Sequence, residues 1–149
     1  DGDGEYNPLN GDYPIIEIRG CDKPQYPDEM YFWIYNDNGN IHTQTNAIPI
    51  QMEIQVQSFA YATNDELNDM TFMRYKLINR AIEPIDSTFF AMWVDADLGC
   101  YLDDYIGCDT LRSLAYVYNE DALDGQPGCT CPQGVNTYCD KVPILGVDY

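Results

Sequence analysis

The sequence predicts an all-β protein: an antiparallel β-sandwich of the immunoglobulin-like or jelly-roll kind, with long loops stapled by disulfides. Three observations predict this fold class. Apolar and polar residues alternate over residues 48–57, which is the period of a strand with one face in a core. Clusters of Gly, Pro, Asn and Asp separate candidate strands at spacings of roughly 10 to 20 residues. No segment shows a sustained helical period.

The elements follow in chain order. Residues 1–14 are rich in Gly, Asp, Asn and Pro, and we interpret them as an acidic entry loop or linker. We expect residues 15–149 to form a single module that is part of a larger parent protein. The polar run 64–69 is expected to form a loop or one short helical turn, and the glycine-rich residues 119–141 a loop. Strands or short apolar segments are predicted over residues 13–19, 30–35, 48–62, 70–81, 87–94, 111–118 and 142–147.

The charge balance is strongly acidic. Asp and Glu total 25 against 7 Lys and Arg, giving a net charge of −18 on 149 residues. Such a field repels nucleic acid and anionic lipid and attracts divalent cations, so we expect neither a nucleic-acid partner nor direct membrane insertion. Thirteen Tyr, five Phe and two Trp supply more aromatic surface than a disordered acidic chain carries.

Five aspartates lie within residues 95–109, together with two glycines and two cysteines. Aspartates two positions apart in an extended chain point the same way, and a glycine turn can aim further oxygens at the same point. The run therefore predicts bound Ca²⁺, although an exposed acidic loop without an ion is the alternative. The spacing is not that of an EF-hand. The candidate metal ligands are Asp95, Asp97, Asp103, Asp104 and Asp109.

The chain has six cysteines, and an even count in loop-like surroundings predicts disulfides and an oxidising compartment. A Cys100–Cys108 pair is expected because it would staple the acidic loop, whereas the other pairings stay open. Zinc is the less favoured alternative, since the cysteines near the C-terminus lack the usual two-residue gap and His42 is remote. The candidate disulfide residues are Cys21, Cys100, Cys108, Cys129, Cys131 and Cys139.

Two other chemistries could use the same region. Trp93, Tyr101 and Tyr105 are candidate contacts to a polysaccharide, although core packing is the commoner role of such aromatics. Paired carboxylates can also hydrolyse glycosidic bonds, but such pairs usually face each other across a cleft from different strands. We therefore expect that the protein is not an enzyme, with a glycoside hydrolase as the alternative.

Three strings carry a resemblance to known proteins: residues 59–72, residues 93–109, and Asn136 followed by 143–149. Together they resemble a recurrent β-module of large bacterial surface proteins exported by the type IX secretion system, over the larger part of the chain from Met30 onward. The resemblance implies an extracellular location, at the bacterial cell surface or in the medium, and a parent protein that continues to a sorting domain. The tripeptides that begin at Asp86 and Asp109 are similar to O-glycosylation sequons of such bacteria, which implies modification at Ser87 and Thr110.

These observations predict a calcium-stabilised structural or adhesive module of a secreted bacterial cell-surface or extracellular fibre protein. The expected partners are neighbouring copies or other domains of the parent protein. The alternative is a carbohydrate-binding accessory module of a secreted enzyme, with polysaccharide as its partner.

Overall fold

The regular structure of the chain is built from antiparallel strands in two three-stranded sheets. The computed structural model describes residues 4, 5, 7, 9, 12, 15–18, 21, 22, 25–125, 129, 131 and 137–148. The all-β, antiparallel fold class with disulfide-stapled loops is confirmed. The first sheet contains β1 (Glu29–Asn36), β2 (Met52–Ala60) and β3 (Thr71–Asn79); the second contains β4 (Asp104–Asp109), β5 (Leu114–Asn119) and β6 (Ile144–Asp148).

The chain divides into two compact units. Asp1–Thr88 holds the first sheet and Phe89–Tyr149 holds the second. The predicted entry loop at 1–14 lies mostly outside the described residues, and the single module over 15–149 stays a prediction. Within the described residues, no helix has the length and apolar character needed to cross a bilayer.

The connection between β1 and β2 is organised by Asp37. Its carboxylate accepts hydrogen bonds from the backbone N–H groups of Ile50 (2.6 Å) and Met52 (2.9 Å). Gln51, between them, has a left-handed backbone with φ of 59°. The alternation that starts at residue 48 therefore becomes a strand only at Met52, because the preceding backbone bonds to a side chain instead of a neighbouring strand.

The centre of the first sheet is β2, which pairs with both neighbours in a continuous register. Val56, directly between Trp33 and Tyr75, is fully buried. On the other face, Phe59 stacks on Phe72 with ring centroids 5.4 Å apart. Opposite pairs and alternating faces are what the period-two pattern predicts.

Residues 15–17 cross the face of the first sheet that carries Phe59. The described part of the strand predicted over 13–19 forms no regular strand. Gln57 Nε2 donates to the Ile15 carbonyl (3.0 Å), and Arg74 forms an ion pair with Glu17. Gln57 is therefore buried, although the alternation places it on a solvated polar face. Gln57 is buried because a segment near the N-terminus, distant in sequence, covers that position.

The strand predicted over 70–81 is confirmed as β3. Before it, the polar run forms a short 3₁₀ helix, Glu66–Asp69, whose N-cap Asp65 accepts from the N–H of Leu67 (3.1 Å). Arg80, at the end of β3, forms an ion pair with Glu53 of β2, a cross-strand pairing of the kind expected for so acidic a chain.

The second unit departs from the sequence prediction at two places. The strand expected over 87–94 is absent: these described residues have no regular structure, and Ser87 has a φ of 55°. In its place, β4 lies inside the run that was interpreted as an acidic loop. The strand expected over 111–118 begins only at Leu114, because residues 110–113 form the turn from β4 and Ser113 has a φ of 54°.

Candidate metal centre

Two buried aspartates hold the loops at one end of the second sheet. Asp103, just before β4, is 1% exposed, and Asp124, after β5, is fully buried. Asp124 Oδ1 accepts from the Cys100 N–H (2.8 Å), and its other carboxylate oxygen accepts from the Tyr138 N–H. Asp103 Oδ2 accepts from the Gly125 N–H (2.9 Å). These bonds connect three stretches that are far apart in sequence.

Two glycines allow this arrangement. Gly99 has a φ of 74° and Gly125 a φ of 128°, conformations that side chains rarely adopt. A Cβ at Gly99 would also collide with the carboxylate of Asp124. Gly99 is therefore needed for two reasons: its backbone adopts a positive φ, and its lack of a side chain lets the turn approach Asp124 closely.

Asp104 and Asn119 form the second part of the site. They are directly opposite each other in the β4–β5 register, so their side chains share a face, with Cβ atoms about 5 Å apart. Asp104 Oδ2 accepts from the Leu98 N–H (2.8 Å), and Asn119 Nδ2 donates to the Asp121 carbonyl (3.2 Å). The remaining oxygen of each, Oδ1, is buried and receives no hydrogen bond from the described residues.

Buried acceptor oxygens normally have a partner, because an unpaired one loses its hydration without compensation. Here two such oxygens belong to neighbouring side chains, and neither residue can donate to the other when Asp104 is ionised and the Asn119 amide group is turned to Asp121. A cation or a protonated carboxyl would satisfy both oxygens. This arrangement is the feature of the site that points to a ligand.

Negative charge accumulates at this site. Burial raises the pKa of Asp104, and the carboxylates of Asp103, Asp124 and Asp97 raise that pKa further, while the hydrogen bond from Leu98 opposes them. Residues 89–149 contain ten acidic and two basic residues. Among the described residues, three arginines form ion pairs elsewhere and do not offset the charges of Asp97, Asp104 and Asp124: the pairs are Arg74–Glu17, Arg80–Glu53 and Arg112–Asp109.

The structure brings some predicted ligands together and separates others. Asp103 and Asp104 lie in the site, and Asp97 is close enough to act on the pKa of Asp104. Asp109 is at the other end of β4, about 17 Å away for five residues of strand. It pairs there with Arg112, so it is not a ligand of the same ion. Asp95 is exposed in an irregular segment, and no described contact links it to the site.

Sequence reasoning missed Asp124 and Asn119. Asp124 stands in a second Asp- and Gly-containing run, residues 121–125, whose composition is similar to that of 95–99. That similarity is a signal that could have identified it. Asn119 ends a strand pattern and has no such signal, because its part in the site depends on its cross-strand position.

The predicted Cys100–Cys108 disulfide is wrong. Cys100 is bonded to Cys129, and Cys131 to Cys139. Cys108, in β4, and Cys21, in the first unit, are both free and exposed. The expectation that all six cysteines form disulfides is therefore not met. A strand carries Cys108 away from Cys100, whereas a staple within the acidic run would require a loop there.

The disulfide also changes the metal chemistry. The Sγ of Cys100 and carboxylate oxygens of Asp103 and Asp124 lie within 4.8 Å of one another, a spacing compatible with one ion. Because this sulfur is bonded to Cys129, it offers no thiolate, and the ligands that remain are oxygens. An all-oxygen set suits Ca²⁺ or Mg²⁺ and is unsuited to a structural zinc site.

Among the described residues, no contact joins the three candidate sugar-binding side chains into one platform. Trp93 is exposed in an irregular segment, and Tyr101 is exposed in the turn after Cys100. Tyr105 lies on β4 and stacks on Tyr118, with ring centroids 6.0 Å apart. The charge of Glu120 and a hydrogen bond to it raise the pKa of Tyr105.

Two further predictions concern groups that must be accessible. A glycosidase pair must reach the bond that it cleaves. Of the carboxylates in the acidic run, Asp103 is buried and accepts from the Gly125 N–H, and the glycoside hydrolase alternative stays a prediction. The two predicted O-glycosylation residues, Ser87 and Thr110, are both exposed, and their modification stays a prediction.

Comparisons with models of protein families, with curated proteins and with solved structures find no match to this chain.

Proposed function

We propose that this protein is a calcium-stabilised structural or adhesive module of a secreted bacterial cell-surface or extracellular fibre protein. One observation carries the calcium part: Asp104 and Asn119 are opposite each other in the β4–β5 register, and the Oδ1 atom of each is buried and receives no hydrogen bond from the described residues. The charges of Asp103 and Asp124 also act on Asp104. A divalent cation would satisfy these oxygens and offset the repulsion among the acids.

The donor set fits calcium. Carboxylate and amide oxygens are the ligands that Ca²⁺ prefers, in sets of six to eight that backbone carbonyls and water can complete. Each carboxylate oxygen has two lone pairs, so a hydrogen bond from a backbone N–H leaves it able to coordinate. Asp103 and Asp124, whose carboxylate oxygens lie within 4.8 Å of each other, and the neighbouring pair Asp104 and Asn119 are the residues that would hold the ion, while Asp97 adds negative charge nearby.

The expected effect of the ion is mechanical. The site joins the turn at residues 98–104 to the loop at 119–125, and the Cys100–Cys129 disulfide connects the same region covalently. A cation shared by these segments would fix the end of the second sheet. Rigid loops at a sheet end suit a module that transmits load or contacts its neighbours.

Location rests on two supports. Two disulfides favour an oxidising compartment, and the resemblance to surface proteins of the type IX secretion system favours the bacterial exterior. The partners in this proposal are neighbouring copies or other domains of the parent protein.

The decisive test is a pair of isosteric variants measured with and without calcium. We expect EDTA to lower the Tm of the wild-type protein and excess CaCl₂ to restore it, because an ion that binds only the folded state stabilises it by mass action. Asp104→Asn should abolish this response. Asp109→Asn, which removes the same charge at the far end of β4, should retain it. A wild-type Tm that is indifferent to both EDTA and Ca²⁺ would refute the calcium part.

One observation favours the carbohydrate-binding alternative. Tyr105 and Tyr118 stack on one face of the second sheet, and Tyr116 adjoins Tyr118 at 5.8 Å, giving a row of rings of the kind that sugars stack on. Retention on insoluble polysaccharides tests it. Loss of retention in Tyr118→Ala, with Tyr101→Ala unchanged, would favour the binding module over the structural one.

A further inference from the structure

No strand among the described residues pairs with the outer edge of β1. The sheet order is β1-β2-β3, so β1 and β3 are the two edges. β3 carries Arg74 and Lys76, the type of side chain that discourages pairing with another strand. In β1, the one charged residue is Glu29 at its start, and the strand has neither proline nor a break in register.

The backbone of β1 has a defined outward direction. Asp37 N–H donates to the Met52 carbonyl, on the inner side of the strand. In an antiparallel ladder, residues two apart repeat this direction, so the odd-numbered residues of β1 bond to β2. The N–H and C=O groups of the even-numbered residues therefore point outward, and no described residue pairs with them: Met30, Phe32, Ile34 and Asn36.

We propose that a second copy of this chain pairs with β1 in antiparallel orientation, β1 to β1, and joins the two first sheets into one six-stranded sheet. The inference deepens the proposed structural role and rests on it for its biological meaning. Its physical basis is separate, because it concerns residues 29–36 in the first unit and the metal centre lies in the second.

One register that joins the outward-pointing backbone groups also pairs the aromatic side chains symmetrically. When Phe32 is opposite Ile34 of the second copy, the outward-pointing backbone groups meet one another on both chains. Trp33 then lies opposite Trp33 of the second copy, and Tyr31 opposite Tyr35. Aromatic cross-strand pairs are among the more stabilising in sheets. These side chains are exposed in the single chain: Tyr31 (61%), Trp33 (40%) and Tyr35 (45%).

Charge makes the pairing dependent on salt. Each copy carries a net charge of −18, and the pairing places Glu29 near Asp37 of the second copy at both ends. Screening shortens the range of this repulsion, to about 8 Å at physiological ionic strength and less above it. Association should therefore strengthen as NaCl rises, the opposite of a dimer held by ion pairs.

Proline substitution provides a matched pair of variants. Ile34→Pro removes an outward N–H and no bond to β2, and proline is tolerated at such edge positions. Tyr35→Pro removes an inward N–H and should lower the Tm. In sedimentation velocity at high micromolar concentration and raised NaCl, we expect the wild type to dimerise. Ile34→Pro should keep the wild-type Tm and weaken association at least about tenfold.

A cysteine variant tests the register. In a Cys21→Ser, Cys108→Ser background, Trp33→Cys should form a disulfide-linked dimer with oxidised glutathione, since facing residues of a non-hydrogen-bonded pair are about 4.5 Å apart at Cα. Tyr31→Cys should not, because its counterpart lies four residues along the second strand.

Two results would overturn the inference: a wild type that stays monomeric at raised salt, or an Ile34→Pro dimer as tight as the wild type. The calcium proposal is judged independently by the EDTA response of the same samples. Association through another edge would appear as dimers that survive Ile34→Pro, and that outcome also counts against β1.

Discussion

Asp104 and Asn119 face each other across β4 and β5, and each directs a buried oxygen to a place where the described chain supplies no donor. Both side chains are otherwise anchored, Asp104 by the Leu98 N–H and Asn119 through its amide to Asp121. The pair cannot relax by turning without losing these bonds. We therefore expect the isosteric change Asp104→Asn to have opposite effects on stability with and without calcium.

Asp104→Asn should raise the Tm in EDTA and remove the stabilisation by Ca²⁺. The asparagine keeps an oxygen for the Leu98 N–H and presents an N–H₂ group to Asn119 Oδ1, and it removes a charge repelled by three neighbouring carboxylates. Satisfying a buried acceptor is worth about 1–3 kcal/mol. Thermal melts in EDTA and in CaCl₂ measure both effects, and an apo protein destabilised by the change would contradict the account of this pair.

Gly99→Ala should destabilise the second unit by about 2 kcal/mol or more, the cost of a strained backbone together with a steric clash. The glycine has a φ of 74°, and a Cβ there would strike the carboxylate of Asp124. Gly39→Ala is the control, because a Cβ at that exposed turn would meet no atom within 4 Å. Chemical denaturation of both variants gives the comparison, and equal losses would show that the close contact at Gly99 is unimportant.

The disulfide pairing predicts which thiols react. Cys21 and Cys108 should be alkylated in the folded, unreduced protein, and the other four only after reduction. Peptide mapping by mass spectrometry reads this directly. A Cys100–Cys108 linked peptide would show that the initial expectation from spacing was right after all.

Removing the Cys100–Cys129 bond should be costly. It joins residues 29 apart, and closing a loop of that size stabilises a protein by about 3–4 kcal/mol in the chain-entropy model. The double variant Cys100→Ser, Cys129→Ser should lose stability of this order in denaturant titrations. Cys108→Ser, which touches a free and exposed thiol, should stay close to the wild type.

Acid should weaken the β1–β2 connection through Asp37. Burial opposes ionisation of this carboxyl, but the N–H groups of Ile50 and Met52 outweigh it and hold the pKa of Asp37 below its ordinary value of 3.8. A lowered folded pKa gives stability that is present above the unfolded pKa and is lost as the pH falls through the folded one. The stability difference between wild type and Asp37→Ala should therefore be largest near neutral pH and shrink below pH 3.8. A difference that stays constant into acid would exclude this linkage.

Much of the fold could be predicted because its signals are local. Alternation predicted β2, the strand predicted over residues 30–35 is β1, and clusters of turn residues separate the two. The predicted ends of strands were less accurate wherever a side chain accepts a hydrogen bond from the backbone next to the strand. Asp37 does so before β2, and Asp109 does so before β5. Such bonds compete with sheet pairing and depend on geometry that a period cannot express.

The site was predicted only in part. The density of aspartates pointed to residues 97–104, but composition could not tell that Asp109 would be carried away along a strand. Spacing suggested the wrong partner for Cys100 for the same reason. The alternation over residues 48–57 implies a solvated position for Gln57, because no local pattern shows that residues 15–17 cross over it.

By itself, the sequence determined an all-β chain rich in acids, its main turns and the neighbourhood of its carboxylate cluster, since periodicity, turn chemistry and charge density are properties of adjacent residues. Only the tertiary structure decided that Asp124 and Asn119 complete that cluster, which cysteines bond, and that no described residue pairs with the outer edge of β1. The reason is physical: these features are set by contacts between residues tens of positions apart, where strand register and loop closure, and not spacing along the chain, fix the distances.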